Sequence, residues 1–341
     1  MIVVRPFEGE AGQWDGFVRA QEGWTHFHLY GWRDVVKQVF GHECPYLAAW
    51  DGNDLVGVLP LVRVKSLLFG HYLVSMPFVN YGGPLGSALA VQALVLGAAD
   101  LASRQRVKLL ELRSRAELPV SLAVSHRKIT CVLDLPPEGS AGLWTALDAK
   151  VRSQIRRPQK AGVTVRFGHD QVHPFFSVFA RHMRDLGTPT QPLAFFEAIA
   201  RRFGHDVWFG CAYLNDAPIA GGCGFRWNDE LEITWASSLR EHNRIAPNML
   251  LYWSFLERAA KEELRTFNFG RCTPGGGTHR FKLQWGARGE QLWWYHSAWS
   301  PKAQATPSPN DGALSWGPRV WKHLPERVAT ALGPRIVRYI P

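Results

Sequence analysis

Residues 266–286, TFNFGRCTPGGGTHRFKLQWG, hold the side chains of this chain best suited to chemistry. The pattern reads as a short strand over 266–269, a glycine-rich loop over 270–277, and a segment carrying His279, Arg280 and Lys282, with Arg271 ahead of them. A strand that empties into such a loop suits an anionic substrate. Glycine lets peptide N–H groups approach closely, and the cations supply charge. Acyl transfer to an amine needs positioning, a sink for oxyanion charge and a route for the departing proton. Lys282 is the leading candidate for such a role; its bland alternative is a surface lysine on a strand. Arg271 can clamp a phosphate or carboxylate through paired hydrogen bonds, or sit in a buried ion pair. Histidine is the side chain type suited to proton transfer near neutral pH, so His279 is a candidate proton acceptor or else a solvated loop histidine. Cys272 reads first as a small core residue.

The elements that must position these groups come in two similar sets. In the first half, PYLAAW, DGND and LVGVLPLVRV read as strand, tight turn and strand. A strand over 71–78, the loop NYGGPLG, an apolar helix over 88–103 and a strand ending at Arg113 follow. In the second half, VWFGCAYL, NDAP and IAGGCGFRW repeat the strand, turn and strand. LEITWASS, a loop, a helix from Pro247 to about residue 263 and TFNFGR complete the copy. The matching order predicts an internal duplication of one α/β unit, with mixed sheets flanked by helices. The expected division is 1–140, 141–300 and a tail over 301–341. Pro247 suits a first helical turn, where its missing N–H has no helical partner. Asn248 beside it is a candidate cap or substrate-orienting residue. Asn80, Tyr81, Gly82 and Gly83 hold the corresponding loop of the first copy and are candidate cleft residues.

Composition narrows the partners. The chain has 341 residues and a net charge of +10, which favours anionic partners such as nucleic acid, phosphate-linked substrates or an acidic membrane face. The five cysteines are dispersed, without metal-ligand spacing, so no metal is expected and a reducing compartment is. No signal-peptide pattern opens the chain and no apolar run reaches membrane-spanning length, so the expected location is cytoplasmic. Between the copies, residues 143–162 carry a helical stripe of Leu143, Leu147, Val151 and Ile155. Lys150, Arg152, Arg156, Arg157 and Lys160 surround it, a solvated basic face or a phosphate-binding one, and Pro158 should end or kink the helix near Arg157. The tail is rich in proline up to Pro318. It then shows amphipathic spacing, Val320, Trp321, Leu324, Val328, Leu332, Ile336 and Val337, broken at Pro325 and Pro334. It either caps a domain or rests on an anionic membrane.

The ordered segments FGHECPYLAAWDGNDLVGVLPLVRV, VSMPFVNYGGPL, LWTALDAKVRSQIRR, MRDLGTPTQPLAFFEAI, APNMLLYWSFLERAAKEELRTFNFGRCTPGGGTHRFKLQWGA and LPERVATALGP span nearly the whole chain. Together they resemble FemAB-like acyl/aminoacyltransferases of the GNAT superfamily, most nearly the branch associated with exosortase and PEP-CTERM clusters at exopolysaccharide loci. The resemblance implies two tandem GNAT-like domains and transfer of an acyl or aminoacyl group to an amine or hydroxyl of a cell-envelope precursor. In peptidoglycan-bridge relatives the donor is aminoacyl-tRNA and the acceptor a nucleotide- or lipid-linked precursor. The lysine equivalent to Lys282 is there linked to acceptor phosphates. Phe281 and Trp285 fall in the same FK..WG motif and are carried over as substrate-binding candidates. Lys150, Arg152 and Arg156 are carried over as tRNA- or anion-binding candidates.

This chain departs from the family at Asn268, where FDFGRS becomes FNFGRC; Asn268 takes the candidate catalytic position but cannot act as a base. The helix start Arg244–Met249 lacks the glycines that hold the pyrophosphate of acyl-CoA, and Pro247 lacks an amide donor. No bound cofactor is expected; the donor is aminoacyl-tRNA or acyl-CoA. Two alternatives stand beside the lead. One is an acetyl-CoA-dependent N-acyltransferase acting on a nucleotide sugar or small amine. The other is a non-catalytic scaffold of polysaccharide assembly, peripheral to the inner membrane through its tail.

Overall fold

The computed structural model describes residues 1–66, 69–298 and 317–340. The chain forms two α/β units, each a set of strands flanked by helices. The first unit takes residues 1–128, and residues 291–298 and 335–340 return to it; the second takes 129–290 and 317–334. The expected boundary at residue 140 therefore lies earlier. The strand Ile129–Asp134 leaves the first copy because it pairs with Thr266–Cys272. The segment 299–316, most of the expected Pro-rich linker, lies outside the described residues.

In the first unit, Ile2–Pro6, Leu47–Asp51, Asp54–Leu59 and Leu85–Gly86 form one sheet. The predicted turn joins the second and third strands, with Gly52 at φ 60°. A second sheet runs Val62–Ser66, Gly70–Val74, Leu109–Ser114, Trp293–Ala298, Ala123–Ser125. Helix Ala88–Arg104 starts at Ser87, whose hydroxyl accepts the Ala90 N–H. It buries Ala90, Leu94 and Ala98 against Leu47, Leu59, Leu73 and Leu110.

In the second unit, seven strands run in the order Thr164–Phe167, Val207–Leu214, Ala217–Trp227, Glu230–Ser238, Thr266–Cys272, Ile129–Asp134, Arg288–Gln291. Neighbouring residues on a strand face opposite sides of the sheet. Gly221 and Gly222 of Ala217–Trp227 use this to admit a helix on each face. A β-carbon on Gly221 would lie 3.2 Å from Phe175 of helix Val172–Leu186; one on Gly222 would lie 2.9 Å from Phe255 of helix Pro247–Lys261.

Four local readings change. The stripe Leu143, Leu147, Val151 and Ile155 is buried as expected, but on two helices, Gly139–Ala146 and Ala149–Lys160. Leu147 is extended between them (ψ 143°). Pro158 sits within the second helix, near its end, and does not stop it at Arg157. In the tail, Pro325 does separate Gly317–Trp321 from Glu326–Val337, whereas Pro334 lies inside the latter helix. The glycine loop is also shorter than expected: the strand continues through Cys272 with Gly270 at φ 74°, and helix Gly277–Leu283 follows.

Replacing Gly222 by Val should therefore destabilise the second unit by about 1–3 kcal/mol through collision with Phe255. Chemical denaturation beside wild type measures it; an unchanged midpoint would contradict the close approach.

Candidate active site

Each unit contains a pair of parallel strands that part. In the second unit Glu230, Leu231 and Glu232 pair with Thr266, Phe267 and Asn268, and the parallel ladder ends there. The first strand of the pair continues to Ser238, hydrogen-bonded on its other side to Ala217–Trp227. Polar side chains take over at the parting. Asn268 is fully buried. Its Oδ1 accepts from Thr130 Oγ1 (2.6 Å) and the Gly270 N–H (2.8 Å). Its Nδ2 donates to Glu230 Oε1 (2.7 Å) and Glu232 Oε2 (3.3 Å). Thr234 Oγ1 donates to Glu232 Oε1 at 3.2 Å. Asn268 is thus a tie between strands, and an amide is what the place needs. It donates to two carboxylates where an aspartate would set a third beside them.

Lys282 is buried on helix Gly277–Leu283, not on a strand surface. Its Nζ donates to the carbonyls of Gly270 (2.6 Å) and Arg271 (3.0 Å). Burial lowers its pKa; the nearby Cys272 and Cys131 thiols and the Glu232 carboxylate oppose this. Those thiols lie 3.5 Å apart beneath the same strand. Lys282, Arg271 and Asn268 are therefore brought together, with Lys282 and Asn268 fastening the two sides of Gly270.

Other candidates fall elsewhere. His279 Nδ1 accepts the Gly275 N–H at 3.0 Å, and Arg280 donates to the Gly275 carbonyl at 3.0 Å. Both bonds close the loop from the helix that follows it. Trp285 is buried in the core with Phe269, and Phe281 packs at its margin against Tyr252. Asn248 does not cap its helix. The cap position is Ala246, in the left-handed conformation (φ 54°), with Pro247 first in the helix. Arg152 donates to the carbonyls of Trp144, Thr145 and Leu147, closing the helix before its own, and Arg156 stacks on Trp144 at 5.2 Å. Lys150 is exposed on the same helix.

In the first unit the parallel pair Gly70–Val74 and Leu109–Ser114 also parts, after Val74 and Glu111. There its own loop fills the gap. Ser75 N–H donates to Glu111 O (2.9 Å), Ser75 Oγ accepts the Arg113 N–H (2.7 Å), and Gly82 N–H donates to Arg113 O (3.0 Å). Asn80, Tyr81 and Gly82 are buried in this loop, while Gly83 borders a cleft of about 350 Å³ with His28, Ser114 and Arg115. Below lies a buried ionic group. Glu111 receives Arg113 (2.7 Å) and His296 (3.0 Å), and Trp294 stacks on Arg113. Burial alone would raise the Glu111 pKa, but Arg113 and His296 prevail and hold it at about 2. Burial lowers His28 to about 4 and His26 to about 3.

Glu230, Glu232, Thr234 and Thr130 are functional candidates that sequence reasoning missed. The signal was the alternation in ELEIT, which sets two acids and a threonine on one face of a strand whose other face is apolar.

Residues 147–283 match the acetyltransferase (GNAT) domain family. A search of curated protein sequences finds no match. Among solved structures, FemX is similar over 85% of this chain and 97% of its own, at 15% identity and TM-score 0.64. The C-terminal domain assigned to a lysylphosphatidylglycerol synthetase of Agrobacterium fabrum is similar over 83% of this chain and 90% of its own, at 10% identity and TM-score 0.56. A tandem GNAT protein from the clavulanic acid pathway is similar over 88% of this chain and 99% of its own, at 13% identity and TM-score 0.51. The fold is a duplicated GNAT fold, and the domain match indicates an acyltransferase.

Two outcomes follow from these networks. Asn268→Asp should destabilise the protein by about 1–3 kcal/mol at pH 8 and less at pH 5, where a carboxyl of the crowded group takes a proton. Denaturation curves at both pH values measure the difference, and a pH-independent loss would contradict it. Acid should weaken the first unit in two stages. His26 and His28 are neutral in the fold, with pKa values below the ordinary 6.5, so their contribution is complete above about 6.5 and declines as pH falls. The contribution of ionised Glu111 is complete above 4.5 and declines toward about 2. Glu111→Gln should flatten the lower stage, read as denaturation midpoint against pH.

Proposed function

We propose that the second unit performs acyl or aminoacyl transfer at the parting of Glu230–Ser238 and Thr266–Cys272, onto an amine or hydroxyl of a phosphate-linked cell-envelope precursor. The observation that carries this reading is the asymmetry between the copies. The first unit fills its parting with its own loop, whereas the second lines it with Asn268, Glu232 and Thr234 over a buried cation. The strand edge beyond Glu232 suits an extended, amide-bearing donor, whose carbonyl would then lie beside the polar floor. The incoming amine must lose a proton as the new bond forms, and Glu232 is the acceptor assigned to it. Lys282 positions the Gly270–Arg271 backbone, and Arg271 is the assigned clamp for the substrate phosphate.

Aminoacyl-tRNA is the donor favoured here. The exposed Lys150, Arg156, Arg157 and Lys160 form a cationic face, and the resemblance to FemAB-like enzymes supports it. Acyl-CoA is the second reading, favoured by the GNAT domain match and opposed by the helix start at Ala246 and Pro247. The exopolysaccharide setting rests on the same resemblance. A lipid-linked acceptor would place the enzyme peripherally on the inner face of a membrane.

Donor binding by calorimetry separates these readings. Aminoacylated tRNA should bind the wild type with an affinity that falls steeply with salt, and Lys150→Glu with Arg156→Glu should lower it at least about tenfold. Binding of acetyl-CoA alone would transfer the reading to an N-acyltransferase. Binding of neither, with polymer production intact in Lys282→Ala cells, would leave the scaffold.

A further inference from the structure

Helix Glu326–Val337 is turned inside out for a water-facing helix. It buries its small residues, Ala329 and Gly333, with Val337, and displays Val328 (40% exposed) and Leu332 (38%). The inward packing is close. A β-carbon on Gly333 would lie 3.0 Å from the backbone of Thr190. Helix Gly317–Trp321 is seated the same way, with Pro318 against Gly187, and it displays Val320 (52%). Leu186, next to that glycine, is exposed as well (45%). Packing explains the small residues, but it does not explain the aliphatic ones outside; a solvated face would be polar. Their flanks are cationic. Arg319, Arg327 and Arg335 stand on these two helices and Lys322 just past the first, against a single acid, Glu326. No helix among the described residues is long and apolar enough to cross a membrane.

We propose that Leu186, Val320, Val328 and Leu332 form a docking face for an anionic phospholipid bilayer, with the aliphatic side chains entering the headgroup–acyl boundary and Arg319, Lys322 and Arg327 pairing with lipid phosphates. Charge complementarity selects this occupant: apolar contact and local positive charge together match an acidic bilayer, which offers both surfaces in one plane. The face deepens the envelope-precursor reading by naming the surface on which a lipid-linked acceptor would be met. It does not depend on the transfer chemistry, because it is tested without substrate.

Vesicle sedimentation tests it with the full chain. Wild type should pellet with vesicles of about one-third phosphatidylglycerol in phosphatidylcholine, remain in solution with phosphatidylcholine alone, and release as salt rises. Val328→Asp with Leu332→Asp should stay in the supernatant while melting like wild type. Lys322→Glu with Arg327→Glu keeps the aliphatics and should weaken binding roughly fivefold for each cation reversed, which guards against a misfolded first variant. Wild type that ignores both vesicles, or an aspartate variant that pellets as wild type does, overturns the proposal and leaves the acyltransferase reading intact. A dimer in sedimentation equilibrium that the aspartate pair breaks also overturns it, in favour of a second copy on this face.

Discussion

A parallel strand pair that separates leaves backbone N–H and C=O groups without a ladder, and each must find another partner or meet water. The chain resolves this constraint differently in its two copies. Past Val74 and Glu111 it folds its own loop back, so that Ser75 and Gly82 take up the peptide groups of Glu111 and Arg113. Past Glu232 and Asn268 it uses side chains, and the amide of Asn268 satisfies four partners at once. One copy thereby closes its parting chiefly with loop backbone and the other with buried polar side chains. The assignment of chemistry to the second copy follows from this difference rather than from the duplication itself.

The buried charges follow the same division. In the first unit Glu111 is held by Arg113 and His296 within an apolar surround, a fully matched set whose ions are worth keeping only together. In the second, Lys282 is buried against carbonyl oxygens with a carboxylate nearby, and burial drives its pKa down. A cation held in that state is fixed in place and only partly offset, a condition suited to stabilising negative charge that develops above it.

Much of this was legible in the sequence because it is written in short-range patterns. The turn at Gly52, the helix opening at Ser87, the proline at the start of Pro247–Lys261 and the order of strands all follow from local chemistry. The duplication follows from their repetition. What escaped is what local chemistry leaves ambiguous. A row of apolar residues at every fourth position looks continuous across Leu147, although the backbone turns there. Eight residues between Gly277 and Gly286 could be strand or helix, and that choice decided whether Lys282 faced solvent or the interior. His279 looked free because its partner is a backbone amide four residues away. Glu232 was visible only as half of an alternation whose apolar half drew attention first.

The strand Trp293–Ala298 lies between Leu109–Ser114 and Ala123–Ser125, so a sheet begun early in the chain is finished only after residues 129–290 of the second unit have been made. Residues 129–290, the larger part of the second unit, are therefore inserted within the first, and residues 317–334 join that unit later in the chain. During synthesis the ribosome delivers residues 129–290 before the first unit can close this sheet, and until then the edges of Leu109–Ser114 and Ala123–Ser125 stand open. Closing that sheet thus waits on a non-local pairing across some 180 residues, a long loop closure.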